Sequence, residues 1–283
     1  TKAKTFQKVK GRVEKKNAKS HLDRFVSDAT HWRSIFDTDF AWSKTEKEAA
    51  RSLAALRIFK VVQPTPGILS LIRSYRDGVI KYRTLREAIS HIEKFHFGFN
   101  AVTSSRSSGG ISGMYSSFGR QVFGADDSQE VGLAIGALLE KLRETRFSES
   151  EFDAAFEQII FTKTHSSQKS LVQYVLKKVS KTEGQPFIGD TDDLTIEHLL
   201  PQSSAEKGFG DAVVGQIGNL LLVDGETNNL LSTKSFQRKK DILIERGYKL
   251  PQILLDAEEL DGDVVRANTA RIAKLARSSI WKV

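Results

Sequence analysis

Glu197 and His198 stand side by side in the segment IEHLLPQ, residues 196–202, between Ile196 and the apolar pair Leu199 and Leu200. An ionisable pair in an apolar run pays desolvation unless it is partnered or put to use. Further along come Asn219, Asn228 and Lys239. Together these types suit hydrolysis of a phosphodiester, which needs a base to deprotonate water and a cation to neutralise charge on the phosphorane. Neutral imidazole is the side chain best placed to act as base near pH 7, so His198 is the candidate general base. A carboxylate and an amide carbonyl are hard oxygen ligands. Glu197 and Asn228 are therefore candidate ligands of one Mg²⁺ ion, or of Mn²⁺ in its place.

The elements around these residues must hold them in register. LTIEHLL and IGNLLLV are short apolar runs bounded by turn residues and read as strands. Successive strand residues point to opposite faces, so Glu197 can face a following helix while His198 faces a substrate groove. Asn219 opens the second strand, where its amide can orient the His198 ring; it also reads as a plain turn residue. Asp224-Gly225 supplies a turn, and from Glu226 the pattern is helical through NNLLSTKSFQRKKDILIERGY. Asn228 lies in the first turn of that helix, where it or Asn229 also reads as a cap. Phe236 and Lys239 share a helix face, Phe236 as a core anchor and Lys239 as a phosphate contact.

Upstream, roughly the first 180 residues read as helices. Ser43…Glu46, Thr84…Glu87 and Ser148…Glu151 are capping-box patterns ahead of apolar residues at helical spacing. QPTPG, residues 63–67, halts one helix and Gly78 closes the next. TSSRSSGGISG, residues 103–113, reads as a flexible connection, with Arg106 either a loop residue or a phosphate contact. Composition changes at KTEGQPFIGDTDD, which places a boundary between a helical domain, 1–183, and a second domain, 184–283. The expected fold is mainly α, a helical domain followed by a small strand–strand–helix unit with flanking helices.

Forty-three Lys and Arg oppose 35 Asp and Glu, a formal charge of +8, and the excess is clustered. One cluster lies in residues 1–24; two others flank the IEHLLPQ segment, the downstream one including Lys234, Arg238 and Lys240. Each cluster also reads as a solvated helix face, but basic clusters attract polyanions by releasing condensed counterions, so Lys234, Arg238 and Lys240 are expected DNA contacts. The chain has no cysteine, which excludes disulfides and Cys-ligated zinc and fits a cytoplasmic setting. No apolar run is long enough to cross a bilayer, and the basic N-terminus lacks the apolar core of a secretion signal. Without an initiator Met, the chain is expected to be processed or a fragment.

EHLLPQ, then IGNLLLV, then Asn228 nine residues after Asn219, then SFQRK, together resemble the HNH (His-Me finger) nuclease domain of GmrSD-type and SspE-type anti-phage, modification-dependent restriction proteins. The likeness is specific over residues 195–240 and looser over LREAISHIEKFHF and RIAKLARSSIW. It implies a ββα-metal unit that nicks or cuts double-stranded DNA of phage origin, leaving 3′-hydroxyl and 5′-phosphate ends. His198 would be the base, Glu197 and Asn228 the metal ligands, and Asn219 a support. Relatives often carry Asp where Glu197 stands and a second Asn near Thr233. Those departures keep a catalytically degenerate, basic nucleic-acid-binding module as the alternative. The family's N-terminal nucleotide-hydrolysing domain has no counterpart in this sequence, so the chain resembles the C-terminal part of a longer protein.

Overall fold

Apolar residues at helical spacing run through most of the chain, and the computed structural model is mainly helical, with a two-stranded antiparallel sheet among the described residues. The structure describes residues 2–104, 109–145, 147–186, 193–207 and 210–283; Arg106 lies outside them. Its elements begin with α1 (Lys2–Lys10), α2 (Ala18–Phe36), α3 (Lys47–Ile58), α4 (Thr65–Arg76), α5 (Tyr82–His96), α6 (Gly109–Phe123) and α7 (Ser128–Glu144). There follow α8 (Glu149–Phe156), α9 (Lys169–Glu183), β1 (Thr195–His198), α10 (Gly210–Val214) and β2 (Leu220–Val223). The chain ends with α11 (Gly225–Leu231), α12 (Phe236–Glu245), α13 (Gln252–Asp256) and α14 (Gly262–Leu275). Among the described residues no helix is long and apolar enough to cross a membrane.

Residues 1–57, 61–93 and 107–141 form one compact unit. Its interior is built from Leu53, Ile68, Leu71, Leu85, Ile89 and Tyr115, all essentially fully buried. Two glycines set the approach of α4 to α6. A Cβ on Gly67 would lie 2.5 Å from the Phe118 ring, and one on Gly119 would lie 2.8 Å from the Pro66 carbonyl. The Gly- and Ser-rich stretch was expected to connect helices as far as Gly113, yet α6 begins at Gly109. Burial of Ile111 and Tyr115 outweighs the poor helix propensity of glycine. The capping signatures divide similarly. Glu46 accepts from the Ser43 backbone N–H at 3.1 Å, and Ser148 accepts from the Glu151 N–H at 3.1 Å. Thr84 instead lies inside α5, which is opened by the Lys81 carbonyl accepting from Thr84 and Leu85.

The second unit comprises residues 58–60, 94–106 and 142–283. The compositional break near 184 marks a helix end within it. Gly184 takes φ +66° and terminates α9, while the Gln185 amide exchanges bonds with Lys249, donating at 2.8 Å and accepting at 3.0 Å. One apolar core of this unit joins Leu199, Leu200, Val223, Leu231, Leu243 and Val265. β1 and β2 pair antiparallel with Thr195 opposite Val223 and His198 opposite Leu220. The tight turn Ile217–Asn219 precedes β2, so Asn219 stands just before the strand rather than within it. That turn lies against α14: a Cβ on Gly218 would run into the Val265 carbonyl. The expected long helix after Asp224 is two helices, α11 and α12, broken at Ser232 with φ +40°.

Candidate active site

The site is assembled on the His198 end of β1, where the strand passes from exposed to buried. Side chains of Thr195 and Glu197 share one face and that of His198 takes the other, as strand alternation requires. Hydrogen bonds fill the two faces from different parts of the unit. On the first, the Asn228 amide nitrogen donates to Thr195 Oγ1 at 2.6 Å, and the Lys239 ammonium donates to Glu197 Oε1. On the second, His198 Nε2 lies 2.9 Å from the Phe161 carbonyl. A carbonyl only accepts, so Nε2 carries the proton and Nδ1 keeps its lone pair.

Both ionisable groups are buried, at 7% exposure for Glu197 and 6% for His198. Burial pushes the imidazole below its usual range; the Phe161 carbonyl opposes this, and the positive charges of Lys239 and Lys163 add to it. His198 is therefore neutral at physiological pH. Burial also raises the Glu197 carboxyl above its ordinary value, against the pull of the Lys239 ammonium.

Three expected roles change. Lys239 is not a surface phosphate contact: it is 1% exposed and also donates to the His198 carbonyl at 2.7 Å, because the carboxylate and carbonyl of β1 face the interior side of α12. Asn219 does not touch the His198 ring. Fully buried, it donates to the carbonyls of Leu200 (2.9 Å) and Val214 (2.7 Å) and accepts from the Leu200 N–H (2.7 Å). It holds the chain two residues beyond His198, so any support it gives the ring passes through the backbone. Lys240 is occupied as well, donating to the carbonyls of Leu255 and Ala257 at 2.8 and 2.9 Å. Lys234 and Arg238 are exposed, Arg238 lying 3.9 Å from Asp241. Phe236 packs, partly buried, against the apolar core.

Asn219→Ala would leave three buried backbone groups without their partner, each worth about 1–3 kcal/mol. The expected result is a clear loss of stability in urea unfolding. A midpoint equal to that of the wild type would show that this amide does not close the loop.

The donor set can be tested against a divalent cation. Among the described residues no three His, Cys, Asp or Glu side chains cluster as a metal site. Mg²⁺ keeps most of its waters, however, and needs only one or two protein oxygens. Asn228 is brought to the Glu197 face of β1 by its bond to Thr195, and α11 is set there by Asp224, which accepts from the Thr227 N–H at 2.8 Å. Glu197 and Asn228 thus stand toward the same face of β1, with the Glu197 carboxylate already bonded to Lys239.

Sequence reasoning missed the segment Phe161–His165. Its Phe161 carbonyl meets His198 Nε2, and the Lys163 backbone N–H donates to Gln202 Oε1 at 2.7 Å, with Gln202 Nε2 standing 3.5 Å from His198 Nδ1. Gln202 belongs to the quoted motif and was the available signal. Before α9 the one signal was Lys163 in the upstream basic cluster, and nothing in the sequence tied it to β1, because that contact is made in space.

The region that carries this arrangement is similar to a restriction-endonuclease domain. Residues 147–275 match the family model of the GmrSD restriction endonucleases, C-terminal domain. A comparison with curated proteins gives no match.

Proposed function

We propose that the second unit is an HNH-type endonuclease that hydrolyses phosphodiesters in double-stranded DNA, serving phage restriction. The observation that carries this reading is a neutral, oriented imidazole: Nε2–H is spent on the Phe161 carbonyl, leaving Nδ1 to take a proton from water. The pair β1–β2 followed by α11 supports a ββα unit, with Glu197 and Asn228 on the face opposite His198. These two residues would hold Mg²⁺ or Mn²⁺, which when bound supplies charge neutralisation at the phosphate. Lys239 holds the Glu197 carboxylate in place, and Asn219 holds the chain after His198. A nucleotide-hydrolysing partner domain and a cytoplasmic setting belong to the same reading.

The buried Lys239–Glu197 pair is the observation that favours the second reading, a basic DNA-binding module without catalysis, since it already satisfies the carboxylate. Supercoiled plasmid separates the two. With Mg²⁺ or Mn²⁺ the protein is expected to produce nicked or linear DNA, and with EDTA none. Plasmid retarded on the gel but uncut in both metals would establish the second reading instead.

A further inference from the structure

We propose that Lys163 is the cation that binds the phosphodiester beside His198, carried on a strap formed by residues Phe161–His165. This rests on the reading of His198 as the base. With Lys239 buried and Lys240 committed to backbone carbonyls, neither expected contact can meet a phosphate at the imidazole. Lys163 is exposed, and its backbone N–H binds the same Gln202 side chain whose amide nitrogen reaches toward His198 Nδ1. Phe161, two residues earlier, holds the other ring nitrogen. The strap therefore holds Nε2 directly and reaches the Nδ1 side only through Gln202, with Lys163 at that second contact.

The strap is itself fixed. Phe161 N–H donates to the Gly215 carbonyl at 2.8 Å, and Ile160 pairs with Gln216 in an isolated β-bridge. Further on, Thr164 Oγ1 donates to Asp211 Oδ2 at 2.5 Å, and the buried Thr162 hydroxyl accepts from the His165 N–H at 3.0 Å. An ammonium on an anchored backbone has only its own side chain to order when it meets an anion, which suits a phosphate presented to the Nδ1 side.

The test is duplex-oligonucleotide binding by fluorescence anisotropy across a KCl series in EDTA, with plasmid cleavage in Mg²⁺ run alongside. Lys163→Gln should bind several-fold more weakly, and its log affinity against log salt should be shallower by about 0.9, the equivalent of one phosphate. Lys163→Arg should restore the slope. In cleavage, Lys163→Gln should raise KM more than it lowers kcat. An unchanged slope in Lys163→Gln, with the wild type still cutting plasmid, overturns the inference and leaves the nuclease reading intact. A Lys163-dependent slope in a wild type that cuts nothing keeps the phosphate site and removes the nuclease reading. Absence of wild-type binding and cleavage removes both.

Discussion

Replacing His198 by alanine is expected to reduce plasmid cleavage by about 10²–10⁴-fold, the usual share of a positioned general base. DNA affinity should change little, because the imidazole is neutral and contributes no charge to counterion release. The pH profile carries the signature. Burial lowers the His198 pKa, so the base remains available below the range of an exposed histidine, and cleavage is lost only as pH falls through that lowered value. The sign for stability follows from the same displacement. The unfolded chain takes up the proton first, so this contribution is full above about pH 6.5 and declines as pH falls. Cleavage by His198→Ala equal to that of the wild type would remove His198 as the base.

The second large effect lies on the other face of β1. Lys239→Met leaves the Glu197 carboxylate buried without its partner, and breaking one side of a buried ion pair costs about 3–5 kcal/mol. Urea unfolding should show this as a marked fall in midpoint. The double replacement Lys239→Met with Glu197→Gln removes both charges and should recover much of the loss, since a buried pair is often no more stable than a neutral isostere of the same shape. Lys239→Met with wild-type stability would mean that the ammonium and carboxylate do not meet in the interior. For DNA, the expectation reverses the one drawn from charge alone. Any variant at Lys239 that still folds should retain the wild-type salt slope, since a buried ammonium neutralises no phosphate.

Charge clustering made Lys239 and Lys240 look like equivalents of Lys234 and Arg238. All four belong to one basic run, and helical spacing separates faces without saying which face another element will cover. Thr84…Glu87 has the residue types of a helix start, yet the helix begins at Tyr82 because Lys81 supplies the opening acceptor. The helix after β2 was legible in type but not in continuity. STKS weakens the pattern without dictating that Ser232 should adopt φ +40° and turn the chain into α12.

What the sequence determined is local. The strands TIEH and LLLV follow from short apolar runs between turn residues, the start of α11 from the Asp224-Gly225 turn, and the pairing of a base with a carboxylate from the adjacency of His198 and Glu197. Tertiary structure decided what each ionisable group meets. It put Lys239 on Glu197, closed Asn219 on the backbone of Leu200 and Val214, and laid Phe161 and Lys163 beside the imidazole. The physical reason is that desolvation and hydrogen-bond pairing act through distance in space. Residues far apart in the chain therefore set the charge state and orientation that residue type only makes possible.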